Sequence, residues 1–167
     1  MLNDHKISHT AGLITPFNDK NLQPHSYDAT LDDVIKIAAY NADTDEKYWV
    51  EKNCYTGEVY LLPGQFALAS TKEFLNLPQH IVGFVQGKSS VGRNGLQIEN
   101  AGLIDAGFIG AITLELYNMA PWPIKLKAGM PICQLHFTNV DSPVYKDYQK
   151  IGHYNGQRGP TEAVYKL

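Results

Sequence analysis

The segment GKSSVGRNGLQIENAGLIDAGFIGAITLELYN, residues Gly87–Asn118, joins two glycine-rich turns to a strand that carries one carboxylate. Apolar and polar residues alternate in Ala111–Asn118, which predicts a β-strand with one apolar and one polar face. Glu115 lies on the polar face, among β-forming residues. Partial burial there would raise its pKa toward the range useful for general acid–base catalysis. The strand alone favours the simpler alternative, a Glu on the wet face of an antiparallel strand.

The turn that opens this segment concentrates groups that bind anions. Two cations and two hydroxyls stand between its glycines: Lys88, Ser89, Ser90 and Arg93. Backbone N–H groups of such turns bind anions, and Lys and Arg add charge-assisted hydrogen bonds to phosphate oxygens. The turn is not a P-loop, because Val82 stands where that motif needs glycine. It predicts a phosphate site or an ordinary polar turn. A short helix after Ser89 would add its N-terminal amides to a phosphate site.

The rest of the chain consists of short β-like runs separated by turns, with no long helical period. The runs are Val34–Tyr40, Tyr48–Lys52, Gly57–Leu62, Gln65–Thr71, Ile81–Val85, Ile124–Leu126 and Ile132–Phe137. This pattern predicts an all-β sandwich or barrel. We expect a β domain with an N-terminal arm over residues 1–140. Residues 141–167 are rich in tyrosine, glycine and polar residues, which is typical of a tail that folds over a ligand or of a disordered terminus.

Composition narrows the functional class. The 167 residues suffice for one domain with a real core. A net charge of −3 with 19% charged residues offers no basic footprint for nucleic acid. Cys54 and Cys133 lack metal or redox spacing and indicate free thiols of a reducing compartment. The N-terminus has no signal-peptide pattern and no apolar run could span a membrane, so we expect a soluble cytoplasmic protein.

Taken together, these motifs resemble the dCTP deaminase branch of the trimeric dUTPase superfamily. The runs that carry the resemblance are Gly87–Arg93, Ala101–Phe108, Thr113–Asn118, Gln23–Asp28, Leu62–Gly64, Gly129–Met130 and Gly156–Gly159. They cover nearly the whole chain in the family's order. The resemblance implies an all-β fold of the dUTPase-like (β-clip) type, a distorted β-barrel or jelly roll with a few short helices. It also implies a homotrimer whose sites lie between subunits.

For deamination, the resemblance implies a mechanism without zinc. Zinc deaminases need His-x-Glu and Pro-Cys-x-x-Cys, and none of the six histidines is followed by x-Glu. In the family, the residue matching Glu115 takes a proton from the water that attacks C4 of cytosine. The carbonyl of Ala101 would help to position this water. Backbone groups of Thr113 and Leu114 would read the edge of the base.

The resemblance also implies sugar and phosphate contacts. Asp105 would bond the 3′-hydroxyl and orient water toward the α-phosphate, and Phe108 would leave no space for a 2′-hydroxyl. Further nucleotide contacts would come from Lys88, Ser89, Ser90, Val91, Gly92, Arg93, Gln134, Tyr145, His153 and Gln157. Magnesium would be carried by the triphosphate rather than by protein ligands. The expected substrates are dCTP and dUTP, and the family adds feedback by dTTP as an expectation.

Three departures from the family pattern bear on the reaction. His153 replaces the usual Lys, so a fixed charge becomes a titratable one. The loop at Glu99–Gly102 has the shorter length typical of dUTPases and some bifunctional enzymes. The Gly-rich C-terminal motif of dUTPases is replaced by Gly156–Thr161. With Glu115 present, the sequence favours the bifunctional type that forms dUMP, ammonia and diphosphate. A deaminase that releases dUTP and a non-catalytic nucleotide-sensing regulator remain the alternatives.

Overall fold

The computed structural model describes residues 1–99 and 102–165, and most of its regular structure is β-strand. The strands are β1 Ile14–Thr15, β2 Leu22–Gln23, β3 Ser26–Thr30, β4 Val34–Asn41, β5 Glu46–Asn53, β6 Val59–Leu61, β7 Phe66–Asn76, β8 Ile81–Gly87, β9 Leu96–Glu99, β10 Leu103–Ile104, β11 Ile109–Asn118, β12 Ile124–Leu126 and β13 Pro131–Asn139. The helical elements are α1 Asp4–His9, a 3-10 turn at Asp19–Asn21, α2 Ser89–Gly92 and α3 Tyr148–Ile151. The predicted all-β fold with a few short helices is confirmed.

The strands form two main antiparallel sheets and one small one. The larger sheet has the order β5-β4-β7-β11-β9, with β1 also pairing with β7. The second sheet has the order β10-β8-β13-β3-β2, and β12 pairs with β6. Within the described residues the sheets do not close into a continuous barrel. β11 therefore lies inside the larger sheet, paired with β7 on one side and with β9 on the other.

The hydrophobic core takes side chains from both main sheets. Leu114 and Leu116 on β11 are fully buried in the same cluster as Tyr27 on β3 and Phe137 on β13. Since side chains alternate along a strand, Thr113, Glu115 and Tyr117 lie on the opposite face of β11, as the sequence pattern predicts. The core thus fixes the strand that presents Glu115.

The predicted anion-binding turn, Gly87–Arg93, contains α2, which confirms the predicted short helix after Ser89. The chain then turns at Gly95, whose φ of +86° favours glycine. A Cβ at Gly95 would lie 2.6 Å from the Cβ of Ala120, so the close approach of these two segments also excludes a larger residue. This turn connects the anion-binding segment to β9.

The C-terminal tail contacts the β domain at several points along its described part, residues 141–165. The Gly156 N–H donates to the Ile109 carbonyl at 2.6 Å, and the Ala111 N–H donates to the Gln157 carbonyl at 3.0 Å. An ion pair of 2.7 Å joins Glu162 to Lys36 on β4. These contacts hold the described tail against the larger sheet.

The helical elements are all short. None of the helices in the described part of the chain is long and apolar enough to cross a bilayer.

Candidate active site

A cavity of about 390 Å³ lies between the larger sheet, the turn that follows β10 and the C-terminal tail. Its lining includes five residues that the sequence singled out: Asp105, Phe108, Thr113, Glu115 and Gln157. An apolar wall is formed by Trp49, Phe66 and Leu68 from β5 and β7. An apolar cavity with a few convergent polar groups is the usual form of a small-molecule site.

Glu115 enters the cavity from the middle of a sheet. Its backbone is paired with Leu68 on β7 and with Glu99 on β9. The side chain is half-buried, and its Oε2 atom is shielded from solvent. Glu115 is therefore a carboxylate on a rigid strand that faces a cavity, rather than a residue on a fully wet sheet face.

Asp105 and Phe108 are the ends of one tight turn. The Phe108 N–H donates to the Asp105 carbonyl at 3.1 Å, and the Phe108 carbonyl accepts from Leu77 N–H at 2.9 Å. Asp105 is exposed, whereas Phe108 is buried against Tyr148, with ring centroids 5.8 Å apart. The turn thus presents a solvated carboxylate beside an aromatic wall, a combination suited to holding a sugar.

The tail contributes aromatic and amide groups to the cavity lining. Gln157 donates from Nε2 to the Ala111 carbonyl at 2.8 Å, and its buried Oε1 has no hydrogen-bond partner among the described residues. The Thr161 N–H donates to Thr113 Oγ1 at 3.2 Å. Burial and the nearby Asp105 carboxylate raise the pKa of the Tyr148 hydroxyl, which therefore stays protonated at neutral pH. The tail contributes hydrogen-bonding groups from its backbone and side chains.

Two tail residues of the sequence prediction lie elsewhere. Tyr145 is fully exposed and does not line the cavity. His153 is also exposed, with a ring nitrogen 3.3 Å from the Tyr165 hydroxyl. Tyr148 and Tyr154 line the cavity in their place. The sequence showed a tyrosine-rich tail, but nothing in it indicated which tyrosines turn inward.

The anion-binding turn lies outside this cavity. Lys88, Ser90 and Val91 line a separate cavity of about 510 Å³, together with Trp122 and Lys125. Within the turn, Arg93 Nε donates to Ser89 Oγ at 3.3 Å. The predicted phosphate and proton-transfer groups are therefore not brought together within one chain.

A buried carboxylate braces this turn, and the sequence did not reveal its partners. Asp28 on β3 pairs with Lys88 Nζ at 2.6 Å and accepts from Gln134 Nε2 at 3.2 Å. Gln23 Nε2 also donates to Asp28, at 3.2 Å. Lys88 and Gln134 were both predicted to bind nucleotide, and here both contact Asp28. The resemblance at Gln23–Asp28 was the only signal for this network.

Three predicted positions remain, Leu114, Gly92 and Ala101. Leu114 is fully buried in the core, so only its backbone could meet a base. Gly92 is the last residue of α2, beside Arg93. Ala101, whose carbonyl was predicted to position the attacking water, lies outside the described residues, as does Asn100.

Metal ions in proteins are commonly held by groups of His, Cys, Asp and Glu side chains. The described part of the chain contains no group of three or more His, Cys, Asp or Glu side chains placed to hold a metal ion. Cys54 and Cys133 are both buried and unpaired. Burial raises the pKa of both thiols.

Comparison with known proteins agrees with the motifs. A family model described as dCTP deaminase-like matches residues 1–140. A Persephonella marina protein named "dCTP deaminase, dUMP-forming" is 40% identical over 176 aligned positions, covering 98% of this chain and 96% of the relative. A Hydrogenobaculum protein of the same name is 47% identical over 131 residues, covering 77% of this chain and 74% of the relative.

A solved structure shares the fold. The 2′-deoxycytidine 5′-triphosphate deaminase from Agrobacterium tumefaciens matches with a TM-score of 0.68 at 21% identity, over 81% of this chain. The match covers 47% of that longer chain, so the likeness concerns the fold alone. It confirms the predicted fold class. With the family model spanning most of its length, the chain belongs to the dCTP deaminase-like family.

Proposed function

We propose that this protein deaminates dCTP and cleaves the triphosphate, giving dUMP, ammonia and diphosphate. The observation that carries the proposal is that two carboxylates with separate tasks, Glu115 and Asp105, line one cavity. The names of the full-length relatives, which are dUMP-forming dCTP deaminases, support it. Both reactions are hydrolyses, so one site would activate water twice.

In the deamination step, Glu115 acts as general base and then as general acid. It takes a proton from water while the water oxygen bonds to C4 of cytosine. The carbonyl of Ala101 would orient that water. Glu115 passes this proton to N3, then takes the remaining proton from the C4 hydroxyl and delivers it to the exocyclic amine, so that the C4 carbonyl forms as the C4–N bond breaks and ammonia leaves. The pairing of β11 with β7 and β9 holds this carboxylate in the cavity lining.

In the second step, Asp105 serves the sugar and the phosphate. Its exposed carboxylate would accept a hydrogen bond from the 3′-hydroxyl and orient a water toward the α-phosphorus. A P–O bond forms to that water as the bond to the diphosphate leaving group breaks. Phe108 would pack against the deoxyribose where a 2′-hydroxyl would stand.

The triphosphate needs cations that this cavity does not offer. Its lining includes none of Lys88, Ser89 or Arg93. We propose that a neighbouring subunit supplies the anion-binding turn, in a homotrimer with sites between subunits. Exposed Phe84 and Leu103, cross-strand neighbours beside the cavity, offer apolar surface for such a contact. Magnesium would arrive on the phosphates, which is how proteins commonly bind this ion.

Two finer expectations belong with this proposal. dTTP shares the deoxyribose and triphosphate of the substrates, so the same contacts support it as a feedback ligand. The two free cysteines support a reducing compartment such as the cytoplasm.

The products of dCTP test the proposal. Ammonia and diphosphate should appear in equal amounts, and added dUTP should also be hydrolysed. Ammonia without diphosphate would leave a deaminase that releases dUTP. Absence of both would reject the enzymatic function.

The assembly gives a second test. Light scattering should yield a mass of three times the 18.6 kDa chain, because a closed threefold ring completes every site. Dilution that dissociates the trimer should abolish turnover. A monomer that remains active at assay concentration would contradict the shared site.

The tail gives a third test. Deleting Tyr145–Leu167 should leave the β domain folded and raise the KM for dCTP about tenfold or more, because each lost hydrogen bond contributes about 0.5–1.5 kcal/mol. Circular dichroism checks the fold and steady-state kinetics the KM. His153→Lys is the matched single change, and it should improve triphosphate affinity, because Lys carries a positive charge across the neutral range. Unchanged affinity in both variants would show that the tail does not serve the site.

A further inference from the structure

The ladder between β7 and β11 is interrupted directly before the catalytic part of β11. Ala111 pairs with Phe74, and the next pair is Thr113 with Ser70. One residue of β11, Ile112, thus faces three residues of β7. Bulges of this kind bend a strand and re-aim its side chains, and they are common beside active sites.

A buried hydroxyl fills the interruption. Thr71 Oγ1 accepts from the Ile112 N–H at 2.9 Å and donates to the Glu73 carbonyl at 2.8 Å. Thr71 is 1% exposed, so bulk water does not compete for either bond. Buried backbone groups must be paired, and here one side chain pairs a donor on β11 and an acceptor on β7.

The Glu73 side chain anchors the bulged segment to the other sheet. Its two carboxylate oxygens accept from the Thr30 N–H at 2.8 Å and from the Thr30 hydroxyl at 2.9 Å. Glu73 is buried, and burial raises its pKa although the bonds from Thr30 oppose this. Thr30 lies on β3, the strand whose Asp28 braces Lys88 of the anion-binding turn. The bulge is therefore held by Thr71 within the larger sheet and, through Glu73, by Thr30 of the second sheet.

The bulge changes which side chains of β11 face the cavity. Successive residues of a regular strand point to opposite faces, yet Ile112 and Thr113 both line the cavity. Glu115 lies two residues after Thr113, and its pairing with Leu68 keeps the register that begins at the pair of Thr113 and Ser70. The direction in which Glu115 enters the cavity thus depends on the geometry at Ile112.

We propose that Thr71 is a positioning residue for deamination, whose hydroxyl holds the bulge that aims Thr113 and Glu115 at the substrate. This inference rests on the proposed function. Without the hydroxyl, the Ile112 N–H and the Glu73 carbonyl lose their partner, and the strands must shift to find others. A shift of about 1 Å at a reacting group can cost about a hundredfold in rate.

Thr71→Val tests the proposal, because it keeps the branched shape and removes only the hydroxyl. We expect kcat for ammonia release per folded site to fall about tenfold to a hundredfold. Thr71→Ser, which keeps the hydroxyl, should restore kcat to within about threefold of the wild type, well inside the loss that misplacement causes. Ser70→Ala is the matched control, since the neighbouring Ser70 hydroxyl is fully buried and, within the described part of the chain, accepts and donates no hydrogen bond. It should leave kcat unchanged.

The readouts separate positioning from mere stability. A structural role alone would lower the melting temperature of Thr71→Val and leave kcat per folded site intact, which would overturn the proposal. Should Thr71→Val not fold, amide exchange in the wild type decides. The Ile112 amide should exchange as slowly as that of Leu114 in the regular ladder, and fast exchange would reject the bond. A wild type that releases no ammonia would instead refute the proposed function.

Discussion

Glu115→Gln should lower the rate of ammonia release from dCTP by at least about a hundredfold, the usual scale of general acid–base catalysis. The amide keeps the size of the side chain but cannot accept the proton of the attacking water. Glu115 is held on a central strand, paired with β7 on one side and with β9 on the other. Ammonia release measured at saturating dCTP reports the change.

Two comparisons give this experiment its control. Glu51 lies on the exposed edge strand β5 of the same sheet, so Glu51→Gln removes an equal charge away from the cavity. That variant should retain nearly full activity. Hydrolysis of dUTP by Glu115→Gln should fall much less than deamination, which would show an intact site. Near-normal ammonia release from Glu115→Gln would remove Glu115 from its role.

Asp105→Asn should suppress diphosphate release more strongly than ammonia release. The amide can still bond the 3′-hydroxyl but is a poor acceptor for the proton of a water aimed at phosphorus. Weaker sugar anchoring will reduce both rates, so the ratio of the two products is the informative quantity. We expect the loss in diphosphate release to exceed the loss in ammonia release by about tenfold or more, since general-base catalysis alone contributes about a hundredfold or more.

Asp141→Asn is the control for this change, because Asp141 is exposed and outside the cavity lining. Its product ratio should match that of the wild type. Equal losses of ammonia and diphosphate in Asp105→Asn would show that Asp105 only binds the sugar. It would then not be the base for hydrolysis at the α-phosphate.

The strands and the position of Glu115 could be predicted because their causes are local. Alternation along Ala111–Asn118 places Leu114 and Leu116 in the core and Glu115 opposite, as the structure shows. Turn-forming glycines likewise mark the ends of strands, and the helix after Ser89 follows from the same local pattern. Such signals need only neighbouring residues.

Contacts between distant segments could not be predicted in the same way. The pairing of Lys88 with Asp28 joins residues sixty positions apart, and the bond from Ile112 to Thr71 joins residues forty-one apart. Thr71 belongs to no sequence motif, because its hydrogen bond with Ile112 forms only where the ladder between β7 and β11 is interrupted. The inward turn of Tyr148 and Tyr154, rather than Tyr145, depends on how the tail docks on β11.

One site should convert dCTP to dUMP without releasing dUTP. The most direct test incubates the protein with base-labelled dCTP and an excess of unlabelled dUTP, and separates the nucleotides by chromatography over time. We expect label to pass from dCTP to dUMP while the dUTP pool stays almost unlabelled. Label that accumulates in dUTP would contradict it and leave a deaminase that releases dUTP.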